Sequence, residues 1–69
     1  MTRKEAKMLR KEYERRFAEM ADMRSQLRCA YAAFDNTTDC DMMDACIYEI
    51  NALRSRYNSA VVNIKNLIQ

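Results

Sequence analysis

The sequence predicts an all-α fold: two long amphipathic helices folded back on each other as an antiparallel hairpin. Three observations carry that expectation. The 69 residues include no Gly and no Pro, so the residues that normally make tight turns and strand hairpins are missing. The composition leans on Ala, Met, Leu, Glu, Lys and Arg, all strong helix formers. Apolar residues recur at helical spacing in two stretches, separated by a single polar tetrad.

The first helix is expected over residues 2–34. Tyr13, Met20, Leu27 and Phe34 form a ladder with steps of seven, flanked by Leu9, Phe17, Met23, Ala30 and Tyr31. That stripe is wider than one partner helix covers. Residues 35–38, Asp35-Asn36-Thr37-Thr38, supply the break. Asn36 suits a left-handed helix end, and Thr38 with Asp41 resembles a capping box with Asp in place of Glu or Gln. The alternative is one unbroken helix through the tetrad.

The second helix is expected over 39–68. Cys46, Ile50, Leu53, Tyr57, Ala60, Ile64 and Leu67 alternate steps of four and three, the spacing of a coiled-coil seam. A second row, Met43, Ile47, Val61 and Ile68, runs beside it and is interrupted by Arg54. Helices of roughly 45 Å each, at ~1.5 Å per residue, should pair end to end. The short loop makes them antiparallel. A single domain over 1–69 of this size is marginal alone. The leftover rows are therefore expected to dimerise the hairpin into a four-helix bundle, or to take a partner helix. The interface residues on this reading are Cys46, Ile47, Ile50, Leu53, Tyr57, Val61, Ile64, Leu67 and Ile68.

Charge is polarised. Residues 1–16 carry a net +4, and residues 35–49 a net −5 with no Lys or Arg. Lys4, Lys7, Arg10, Lys11 and Arg15 are candidate basic contacts for a phosphate backbone. Glu5, Glu12 and Glu14 dilute that field, and Glu12 with Arg16 forms a favourable i,i+4 pair. Asp39, Asp41 and Asp44 suit the start of a helix and are also candidate contacts for a basic partner surface.

The same residues argue against catalysis. There is no His, the commonest general base, and no Gly-rich phosphate loop. Cys29, Cys40 and Cys46 lack an evident base and are read as small packing residues of a reducing compartment. Without His or C-x-x-C no metal site is expected, and no cofactor. The charged N-terminus carries no apolar leader segment, and no apolar run reaches the ~20 residues of a membrane span. These features predict a cytoplasmic, non-enzymatic chain with no membrane partner.

The run from Asp41 to Tyr57, with Ile47-Tyr48-Glu49-Ile50-Asn51-Ala52 at its centre and Arg56-Tyr57 at its end, resembles the small YaaL-like family of Gram-positive bacteria. The resemblance covers residues 34–65. It implies a bacterial helical hairpin of unknown function, with no activity or cofactor, and draws attention to Tyr48, Glu49, Arg56 and Tyr57. The function expected is a small protein-interaction module, an adaptor or regulator. The alternatives are a nucleic-acid-associated hairpin using the basic end, and a phage-type or defence-related inhibitor docking through the acidic tip.

Overall fold

Two helices, α1 (Arg3–Asn36) and α2 (Cys40–Ile68), account for nearly all of the chain in a computed structural model that describes residues 1–68. The side chain of Ile68, one of the expected contact residues, lies outside the described residues. Thr2 starts α1 with an extended backbone, and its Oγ1 accepts from the Glu5 N–H at 3.1 Å. The Thr2 hydroxyl in turn donates to Glu5 Oε1 at 3.0 Å. This is a Thr-x-x-Glu pairing of the capping-box kind, which satisfies one of the orphan donors at the helix start.

The chain reverses through Thr37, Thr38 and Asp39, which excludes one unbroken helix. Two details differ from the sequence expectation. Asn36 does not adopt a left-handed conformation: no described residue has positive φ. Instead α1 runs two residues past 34, and Thr37, extended at φ −97° and ψ 144°, donates its N–H to the Phe34 carbonyl at 3.4 Å. Nor does Thr38 cap α2. Asp39 does, its Oδ1 accepting from the Asp41 N–H at 2.9 Å and its carbonyl from Met43 N–H at 2.9 Å. The Asp39 N–H is held by Thr37 Oγ1 at 3.3 Å. An aspartate is as good an N-cap as threonine, so the start of α2 moves one residue along.

The helices pack against each other along one seam. Its centre is Ala30, Ile50 and Leu53, with Met23, Leu27 and Phe34 packed on them. Cys46 and Ile64 are buried further along. Arg16 Nη1 donates to the Asn63 carbonyl at 3.1 Å. An antiparallel register in which facing residue numbers add to about 80 fits both this bond and the central cluster. The helices are not matched in length. At ~1.5 Å per residue α1 spans about 51 Å and α2 about 44 Å. In that register α1 residues up to Lys11 lie past the last described residue of α2.

The shape is a rod of 57 × 15 × 11 Å with a radius of gyration of 16.5 Å; a compact chain of this length would have about 11 Å. Among the described residues only five apolar ones are buried, because a two-helix rod has one internal contact line. Leu53, 2% exposed, is the deepest. Leu53→Ala should cost about 2–5 kcal/mol, half or more of the roughly 3–10 kcal/mol available to a domain of this length. The expected outcome is loss of a cooperative melt by circular dichroism. Val62→Ala, at a position 51% exposed, should leave the melt within about 0.5 kcal/mol of wild type.

Candidate interaction surface

The seam divides the rod into two flanks of opposite chemistry. On α1 the positions on one side of the seam are Glu12, Glu19, Gln26 and Ala33, spaced by seven. On α2 they are Glu49, Arg56 and Asn63. These share the same side of the rod: Glu19, Met23, Arg56 and Asn63 line one shallow groove, and Gln26, Ala33 and Glu49 line another. This flank is polar, and its α1 charges are paired within the chain. Arg16 Nε pairs with Glu12 Oε1 at 2.8 Å, the i,i+4 pair expected from the sequence. Arg15 also engages Glu12 through two nitrogens and reaches Glu19 Oε1 at 2.6 Å. Arg15 is thus held along its own helix rather than presented freely with Lys4, Lys7, Arg10 and Lys11.

The opposite flank carries Phe17, Arg24 and Tyr31 on α1, and Ile47, Arg54 and Val61 on α2, again spaced by seven. The register sets Phe17 at the level of Val61, Arg24 at the level of Arg54, and Tyr31 at the level of Ile47. Phe17 is 44% exposed, and Tyr31 and Ile47 are 43% exposed. Val61 is half-buried. Tyr13 stacks on Phe17 with ring centroids 6.2 Å apart and planes 25° from parallel. Arg24 and Arg54 are exposed, and among the described residues neither forms an ion pair.

The expected contact residues therefore divide into two sets. Cys46, Ile50, Leu53 and Ile64 are buried between the helices, with Tyr57 and Leu67 half-buried beside them. Ile47 and Val61 belong to the open flank. Sequence reasoning missed the α1 half of that flank. Phe17 and Tyr31 were legible only as neighbours of the Tyr13–Phe34 ladder, and assigning them a side requires the register. The cysteines are corrected: Cys46 packs, but Cys29 and Cys40 are exposed, since Cys29 falls outside the seam and Cys40 opens α2 at the tip. Tyr48 points outward at 76% exposure.

The ends of the rod keep their charge. Arg3, Lys4, Lys7, Arg10 and Lys11 are exposed on the overhang of α1. Asp35, Asp39, Asp41 and Asp44 surround the turn, all exposed. Among the described residues no group of three His, Cys, Asp or Glu side chains is arranged to hold a metal ion, and no helix is long and apolar enough to cross a membrane. No family model, no curated protein and no solved structure matches the chain.

Hydrogen bonds from Arg15 and then Arg16 hold the Glu12 carboxyl at a pKa of about 2, below its ordinary 4.5. A carboxylate whose folded-state pKa is depressed stabilises the fold above its unfolded pKa and stops doing so as it protonates. The contribution of Glu12 is therefore full above pH 4.5 and lost as pH falls toward about 2. Glu12→Gln should melt lower than wild type at neutral pH, and the gap should close across that window. A gap that stays constant down to about pH 2 would show that the pairing stabilises nothing.

Proposed function

We propose that this hairpin is a non-enzymatic protein-interaction module, an adaptor or regulator in type, that self-associates through its apolar flank into a four-helix assembly. The observation that carries the reading is the flank itself. Phe17, Tyr31 and Ile47 stand more than two-fifths exposed on one side of the rod, while the other side carries the ion pairs of Glu12 and Glu19 with Arg15 and Arg16. Exposed apolar patches on a small protein mark interaction sites, and two of them, Phe17 with Val61 and Tyr31 with Ile47, stand on either side of Arg24 and Arg54 here. The accessible surface supports this. The chain exposes 5644 Å², whereas a compact monomer of its mass exposes about 4,500 Å². The excess is on the order of the ~800 Å² that each partner buries in a standard interface. The resemblance of residues 34–65 to the YaaL-like family is compatible with such a module and adds no activity to it.

Absolute mass by light scattering after size exclusion tests the proposal. Wild type is expected to run as a dimer across a range of concentrations. Ile47→Lys puts a charge on the flank without touching the seam. It should weaken the dimer at least about tenfold, or ~1.4 kcal/mol, because an ammonium would be desolvated in the interface. Its helical content should stay that of wild type. A wild-type monomer at all concentrations would refute self-association.

A further inference from the structure

The rod is electrically polar along its length, and this bears on how two copies would meet. Resting on the self-association proposed above, we propose that the second copy lies antiparallel, with the basic overhang of each chain along the acidic tip of the other. The overhang of α1 carries Arg3, Lys4, Lys7, Arg10 and Lys11, which lie past the end of α2 and form no ion pair among the described residues. The tip carries Asp35, Asp39, Asp41, Asp44 and, one turn back, Glu49. Within a chain these groups are separated by nearly the whole 57 Å, far beyond the ~8 Å screening length of physiological salt. The tip therefore cannot neutralise the overhang of its own chain.

A parallel arrangement stacks the net +4 end on its copy and the net −5 tip on its copy. An antiparallel arrangement pairs opposites at both ends and closes as a two-fold dimer, the commonest assembly. It also deals with the one defect of the apolar flank. Arg24 and Arg54 sit level with each other and unpaired in its middle. Overlapping overhang and tip puts the two-fold axis near Met20 and Ala21. Arg24 of each copy then comes level with Phe17 of the other, where a guanidinium can lie on an aromatic face.

Spin labels on Cys40, exposed at the tip, report the orientation directly. In a Cys29→Ser, Cys46→Ala background that remains helical, the antiparallel dimer places the two tips roughly 50 Å apart, about 35 residues of helix at ~1.5 Å each. A parallel dimer places them within roughly 25 Å, given helix spacings of about 10 Å. The short distance would overturn the orientation while leaving self-association intact. Absence of any interchain distance would remove both. Charge reversal gives a second reading that keeps all three cysteines. Lys4→Glu with Lys7→Glu and Lys11→Glu, and separately Asp41→Lys with Asp44→Lys and Glu49→Lys, should each weaken the homodimer at least about tenfold by steric-free repulsion. Mixed together they should dimerise as tightly as wild type. Homodimers of either variant as tight as wild type would overturn the proposal, because a parallel pair is no worse off after reversal.

Discussion

The structure depends on a single line of side-chain contact. Two helices touch along one seam, and that seam must hold the fold together without a second layer. Leu53, Ile50 and Ala30 meet at its centre, with Met23, Leu27 and Phe34 closing around them. Burial is the dominant favourable term in folding and scales with apolar area removed from water. A rod offers little of that area, so each of the few buried residues carries a large share of the stability. The same geometry generates the exposed flank, since an apolar residue one position off the seam can be only partly covered within the chain.

The polar features of the hairpin locate that seam. Thr2 with Glu5 fixes where α1 begins, and Asp39 with Thr37 fixes where α2 begins. Arg16 closes the far end by reaching the Asn63 carbonyl while Glu12 holds its guanidinium. A cation near the C-terminal part of α2 also meets a favourable helix dipole. These groups contribute little burial. They restrict the sliding of one helix along the other, which a repeat of steps of three and four would otherwise tolerate at a shift of seven.

Most of the architecture was legible in the sequence, because composition and periodicity are backbone-level signals. The missing Gly and Pro, the Cys46–Leu67 row and the Asp-Asn-Thr-Thr break led to two packed helices. The errors lie where several residues could serve one role. Asn36, Thr38 and Asp39 were all competent to end or start a helix, and hydrogen-bond geometry, not residue type, chose Asp39. The Thr2–Glu5 pair carried a readable capping signal. Cys29 and Cys40 resembled core residues by type alone. The apolar flank was half legible. Its α2 row stood out by spacing, but Phe17 and Tyr31 could be joined to it only once facing residues were known to add to about 80.

That register has a kinetic consequence. Each layer of the hairpin joins residues a few positions further apart than the layer before it, from Phe34 beside the turn out to Arg16 and Asn63, 47 residues apart in sequence. Closing a loop costs entropy that rises slowly with its length. Contacts next to the turn are therefore the cheapest to make first, and each one shortens the free loop for the next. Assembly should run as a zipper from the capped Asp39 toward the open end, with Arg16 acting as the last tooth. Opening should run the other way, so that the end farthest from the turn frays most often while the tip keeps its shape.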